Sequence, residues 1–543
     1  MFVRLRWLVS TLALSAAGET LATKTRLDLI DPINSLREKG IASDHLDEIL
    51  VGLRGGDGCF CSLACDVLAS IFGNDVVDIV GQQSYEASRT RFWTQQQSQE
   101  TTPKCFVHPA DAEEVSVIIL ISRATECPFA VKGGGHSAFK GASNSPGGIT
   151  IDFINRKHVV PSPDRSSVAI GPGNTWREVY TALEEFNLTM VGGRAATVGV
   201  SGLLLGGGIS FFSGEHGWAC DNIISYEIVL GSGEILTVDS NTNPDLFWAL
   251  RGGGGNFGIV TQFVANAFDQ GPMWGGFRAW ETHSTRAVIT DGLINYAKSG
   301  SEKDPKAAFI VSFSYAQSYQ MWISSVIVDH PDPQPVDGHP EVFDDFFKIE
   351  NAVMDTTRTT SHSNLTIEIA NTSPAGLRQS YWAITTHLDK QLASDILDIF
   401  LEEVKPIENI AGSLPSLVYQ IITVPQQQAM KRKGDNALGI GGGKKPLLLI
   451  NLTIMWMLAS DDEAVLTAYS NIYSRTQALA RERGLDHPFI YMNYASQFQD
   501  PLASYGKENR DRLMEVSKKY DPAGVFQNLN PGYFKFEGAP AKW

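Results

Sequence analysis

Apolar residues in this chain recur at spacings that change from segment to segment, and each spacing predicts an element. Residues 105–137, CFVHPADAEEVSVIILISRATECPFAVKGGGHS, read as strand, helix, strand and glycine loop. Val115, Ile118, Ile119 and Ser122 follow helical spacing, and acidic residues fill the helix's first turn. Short β-runs follow in GITIDF, SVAIGPG and IISYEIVLGSGEILTVD, the last a hairpin turning at Gly231, Ser232 and Gly233. PDLFWALRGGGGNFGIVTQFVANAF then reads as helix, glycine loop and strand. Residues 45–100 read as helical and turn-rich, and beyond about residue 274 strands and helices alternate, as in AAFIVSFSYA and LLLINLTIMWML. DPQPVDGHPE is a surface loop. Near the C-terminus, Leu513, Val516 and Tyr520 mark one face of a helix that stops at Asp521-Pro522, with Glu508 and Arg512 spaced as an ion pair. No internal repeat is visible, and the mixture predicts an α+β chain.

Composition narrows the function classes. The 543 residues carry a formal charge of −16, and the densest basic cluster, KRKG at 431–434, is short. Nucleic-acid partners need clustered Lys and Arg, so they are excluded as an expectation. At the N-terminus, Arg4 and Arg6 precede an apolar run from Trp7 to Ala17 and then small residues. That order reads as a secretory signal over residues 1–22, too short for a permanent membrane span. Acceptor sequons at Asn187, Asn364, Asn371 and Asn451 agree with passage through the secretory pathway. The six cysteines are Cys59, Cys61, Cys65, Cys105, Cys127 and Cys220. Cys105 and Cys127 each lie beside a strand-like run, so their pairing is expected, with a further disulfide at CFCSLAC. No His or second Cys pair stands at zinc spacing, so no metal site is expected. Cys220 reads as a small buried residue.

Glycines carry the chemical signal, in clusters at 133–135, 206–208 and 252–255. Gly253 to Gly258 spell a formal G-x-G-x-x-G, but a helix precedes them and a strand follows. A dinucleotide fingerprint needs the reverse order, so a Rossmann NAD site is not inferred. Successive glycine loops can instead cradle an extended, pyrophosphate-bearing cofactor with backbone N–H groups, which points to FAD. His136 directly follows three glycines, where a nucleophile could meet whatever they admit.

Four ordered stretches carry a family likeness: CFVHPADAEEVSVII…CPFAVKGGGHS, IGPGNTWREVY, GGRAATVGVSGLLLGGGISFFSGEHGWACDNI and NPDLFWALRGGGGNFGIVTQF. With the tail YMNYASQFQD…YGKENRDRLMEVSKKYDPAGVFQNLN, they resemble the berberine-bridge-enzyme-like oxidases of the vanillyl-alcohol oxidase superfamily, secreted fungal type. The resemblance is strong over residues 59–273 and 485–534 and loose between them. It implies a PCMH-type FAD-binding domain of two α/β subdomains, plus a substrate domain with an antiparallel sheet flanked by helices. The FAD domain is expected at 24–273 (core about 101–273) with a return at 485–543, and the substrate domain at 274–484.

The resemblance also implies roles. His136 takes the place of the family's covalent 8α-histidyl link to FAD. Ala195 stands where many members carry a second, cysteine tether, so a single bond is expected. Gly133, Gly134, Gly135, Ser137, Thr197, Val198, Gly199, Gly202, Gly207, Gly258, Ile259 and Val260 are expected around the cofactor. Asp221 and Asn222 are expected to close a turn near it, and Asn493 to meet the flavin's polar edge. Val198 falls where the family controls oxygen approach, and a small residue there suits an oxidase. On YMNY, read as a strand, Tyr494 aligns with the family's catalytic tyrosine and Tyr491 is the alternative. Trp93, His387 and Gln420 are candidates to face the substrate. The expected reaction is hydride transfer from an alcohol, amine or sugar-like substrate to the flavin and then to O2, giving H2O2. The alternatives are a flavin-retaining binding protein and a non-redox cyclase.

Overall fold

A computed structural model describes residues 31–54 and 60–542; the signal segment and Cys59 lie outside the described residues. Three sheets organise the chain. In the first, strands Val77–Ile79, Cys105–Val107, Ile149–Asp152 and Phe129–Lys132 lie side by side in that order, the first pair antiparallel and the others parallel. Helix Ala112–Ala124 connects two of these strands, and the Asp111 carboxylate caps it by accepting from Glu114 N–H.

The disulfides differ from the expected pairing. They join Cys61 to Cys127 and Cys65 to Cys105, and Cys220 is free and buried. Strand Ile149–Asp152 lies between the Cys105 strand and the one that follows Cys127. Cys105 and Cys127 therefore stand about two strand spacings apart, roughly 9.5 Å, beyond disulfide reach. Cys61 and Cys65, four apart on helix Cys61–Phe72, share one face and reach one partner each.

The second sheet has six antiparallel strands centred on Ile259–Asp269, whose alternate residues are buried. The predicted hairpin is there: Ile223–Val229 pairs with Ile235–Asp239, and the turn uses Gly233 at φ +82°. Helix Lys507–Tyr520 buries Leu513, Val516 and Tyr520 and docks on helix Pro244–Leu250. The expected Glu508–Arg512 pair does not form among the described residues. The Arg512 guanidinium lies 3.9 Å from the Trp248 ring centre instead, a contact that also covers apolar surface.

The third sheet is a nine-stranded antiparallel surface running from Met273–Glu281 to Asp486–His487. One face packs on helices Thr282–Asn295, Lys390–Val404 and Asp462–Glu482 through residues such as Val311, Phe313, Ile396 and Ile472. Period-two alternation turns Ile310, Ser312 and Ser314 to the other face, which lines a cavity. Asn451 is on this face too, buried in a central strand, so the sequon it belongs to is not accessible to a glycan. Asn187, Asn364 and Asn371 are exposed. Among the described residues no helix is long and apolar enough to cross a membrane.

Candidate functional site

A cavity of about 630 Å³ separates the third sheet from the glycine loops of the first two. Strand Phe129–Lys132 delivers Gly133, Gly134, Gly135, His136 and Ser137 to its wall. Thr197, Val198, Gly199 and Gly202 form a second stretch, and Gly254, Gly255, Gly258, Ile259 and Val260 a third. A Cβ on Gly134 would lie 2.5 Å from Gly199 Cα, so these two loops touch backbone to backbone. Gly202 and Gly255 are different: neither has positive φ, and a Cβ on either would meet nothing within 4 Å. Protein packing does not require glycine at either place. Their missing side chains keep the cavity clear for a ligand that approaches the backbone closely.

His136 is held on two sides. Its ring stacks on Trp93 with centroids 4.0 Å apart and planes inclined by 14°, and its Nε2 lies 3.1 Å from the Thr197 hydroxyl. Trp93 is itself fixed to the loop, because its N–H donates to Gly135 O at 3.1 Å. Burial disfavours the imidazolium and lowers the His136 pKa to about 4. At neutral pH the ring is uncharged, the form that has a nucleophilic lone pair.

YMNY is not a strand: Met492–Tyr494 is a 3₁₀ turn. The tighter turn removes the pleat that would send adjacent residues to opposite faces, and Tyr491, Asn493 and Tyr494 all reach the cavity wall. Their hydroxyls are engaged differently. Tyr491 Oη accepts from the N–H groups of Gly208 (3.0 Å) and Ile209 (3.3 Å) and from Asn493 Nδ2 (3.0 Å). Burial raises its pKa, and at 2% exposure it is a structural post. Tyr494 is only partly buried, and its Oη accepts from the Arg194 guanidinium at 2.7 Å and from Gln420 Nε2 at 3.2 Å. Arg194 also donates to Gln420 Oε1 at 2.6 Å, closing a triangle of three side chains.

Other expected residues lie elsewhere. Gly207, Asp221 and Asn222 do not line the cavity. Gly207, at φ +118°, packs against Trp218. The Asp221 carboxylate accepts from Trp218 N–H and Asn436 Nδ2, and burial raises its pKa to about 6. Asn222 Nδ2 donates to His216 O and Trp218 O, so this pair does close a turn, but behind the wall. His387 ends a sheet strand beside His487, away from the cavity lining, and Trp93 stands behind His136. Gln420 does line the cavity. Sequence reasoning missed Arg194 and Lys535. Arg194 adjoins the missing tether at Ala195, but nothing local shows that it meets a tyrosine 300 positions later.

Glycine loops that clear a path for an extended ligand, facing an antiparallel sheet with a tyrosine at its rim, define a flavin-dependent oxidoreductase. Comparison with known proteins agrees. Residues 103–239 match an FAD binding domain and residues 490–531 the berberine and berberine-like segment. The chain belongs to the berberine-bridge-enzyme-like family of FAD-linked oxidoreductases. It is 40% identical over 455 residues to the FAD-dependent monooxygenase tpcD of Cochliobolus heterostrophus, covering 82% of this chain and 86% of that protein. In fold it is similar to the xylooligosaccharide oxidase of Myceliophthora thermophila (TM-score 0.69, 20% identity, 88% and 100% of the two chains). It is also similar to a berberine bridge enzyme variant bound to (S)-reticuline (TM-score 0.69, 17% identity, 86% and 97%).

Proposed function

We propose that this protein oxidises a small organic alcohol, amine or sugar-like molecule, with Tyr494 taking the substrate's proton and FAD held by one covalent bond to His136. FAD supplies the two-electron acceptor. The observation that carries the reading is the Tyr494–Arg194–Gln420 triangle, which opens on the same cavity as His136. Arg194 holds Tyr494 Oη by a donated hydrogen bond at the cavity wall, where that oxygen meets the substrate's proton. Gln420 fixes the direction of that oxygen. The opposing floor offers Ser312, Ser314 and Ser416 hydroxyls among Ile310, Ile327 and Val418, a surface suited to a hydroxylated and partly apolar substrate. The test is to screen the purified protein against alcohols, sugars and amines, reading flavin bleaching without oxygen and peroxide with it. Bleaching by none of them would favour the flavin-retaining binding protein, and product without oxygen consumption the cyclase.

Val198, a small residue where the family controls oxygen approach, lies on the cavity wall, which supports O2 as electron acceptor and H2O2 as product. The names of the sequence relatives favour a second outcome, insertion of an oxygen atom into the product. Isotopically heavy O2 separates the two: label in peroxide alone means oxidase, label in the product monooxygenase. On the same reading, residues 24–273 and 485–543 form the FAD-binding unit around a substrate unit at 274–484. The signal-like N-terminus, two disulfides and three exposed sequons support secretion as a glycoprotein.

A further inference from the structure

Lys535 is the one lysine on the cavity wall, and it is 8% exposed. An ammonium so deeply buried needs a counter-charge, because desolvation penalises it heavily. Among the described residues no carboxylate lies within ion-pair distance of it. Its polar contact is Asn256 Oδ1, 3.3 Å from Nζ, and that oxygen already accepts from Gln527 Nε2 at 3.1 Å. The nearest acidic group to influence it, Asp521, is spent on the N–H groups of Val525 and Phe526. Burial accordingly pulls the Lys535 pKa down to about 7.

The surroundings indicate the missing partner. Asn256 Nδ2 donates to Gly253 O and Phe534 O, which ties the 252–258 glycine loop to the tail that carries Lys535. Within that loop the N–H groups of Gly252 and Gly254 donate to Leu205 O and that of Gly253 to Ala249 O, which anchors the loop beside Lys535. Gly254 and Gly255 both line the cavity, and Gly255 faces open space. On the same wall, Asn530 Oδ1 is buried without a hydrogen-bond partner, an acceptor suited to a sugar or ribityl hydroxyl. A buried cation without a counter-charge, backbone left clear of side chains at Gly255 and a free acceptor together match the diphosphate and polyol portion of FAD. We propose that Lys535 is the charged ligand of the FAD diphosphate.

The test uses the His136→Ala protein, in which bound flavin can exchange, and follows flavin fluorescence rather than activity. The probes are FAD and riboflavin, which lacks both phosphates. Lys535→Met in that background should weaken FAD binding by about 10- to 100-fold, as expected for loss of a charge-assisted contact, and leave riboflavin binding unchanged. Lys535→Arg, which keeps the charge, should stay within about fivefold of the background for FAD. Should Lys535→Met prove poorly folded, Lys535→Gln, which can still donate to Asn256, takes its place. An FAD affinity within about threefold of the background, or equal losses for FAD and riboflavin, would overturn the assignment and leave Lys535 a packing residue.

Discussion

Two neighbouring tyrosines should fail in different ways when each loses its hydroxyl. Tyr494→Phe removes the acceptor of Arg194 and of Gln420 Nε2; Arg194 keeps Gln420 Oε1 at 2.6 Å, and the freed Gln420 amide lines the cavity, where water can take its N–H. The folding cost should be about 1 kcal/mol or less. If Tyr494 takes the substrate proton, its loss should slow reduction about 10²–10⁴-fold, or roughly 3–5 kcal/mol of barrier. Tyr491→Phe does the opposite. It strips the acceptor from the Gly208 and Ile209 N–H groups, both buried, at about 1–3 kcal/mol for each stranded donor. Asn493 Nδ2 keeps Leu203 O at 3.0 Å, so its loss adds little. Stability should therefore fall by about 2–6 kcal/mol, with a smaller change in reduction rate. Anaerobic stopped-flow reduction and thermal unfolding, run on both variants, make the comparison. The reasoning is refuted if Tyr494→Phe changes reduction by less than about threefold, or if Tyr491→Phe melts with the wild type.

Further outcomes can be checked independently. Acid precipitation should leave the flavin on the protein, His136→Ala should release it, and no cysteine-containing peptide should carry it. Because the His136 pKa lies near 4, covalent attachment to apoprotein should proceed equally at pH 6 and pH 8, and slow only as the medium approaches that value and the lone pair is protonated. Replacing Cys61 and Cys127 with serine opens a cross-link of sequence separation 66 and should cost about 2–4 kcal/mol, read as a lower melting temperature. Mass spectrometry of protein from a glycosylating host should find glycan at Asn187, Asn364 or Asn371 and none at Asn451.

What the sequence determined by itself is local or ordered along the chain. The helix at 112–124, the hairpin at 223–239 and the buried stripe of Leu513, Val516 and Tyr520 follow from period and turn chemistry, which act over a few residues. The inverted order of helix, glycines and strand around residue 253 excluded a Rossmann site for the same reason. His136 behind three glycines was legible as a reactive position, although the Trp93 ring stacked on it was not. Tertiary structure decided every relation between distant segments. Cys105 and Cys127 each flank a strand, but the interposed strand at 149–152 sends them to different partners on one helix. Asn451 carries a valid sequon, yet its strand lies mid-sheet with its side chain toward the cavity. Arg194 meets Tyr494 across 300 residues, and Lys535 meets Asn256 across 279. Such pairs leave no local trace, because periodicity records which way a side chain faces and not what the fold later brings opposite it.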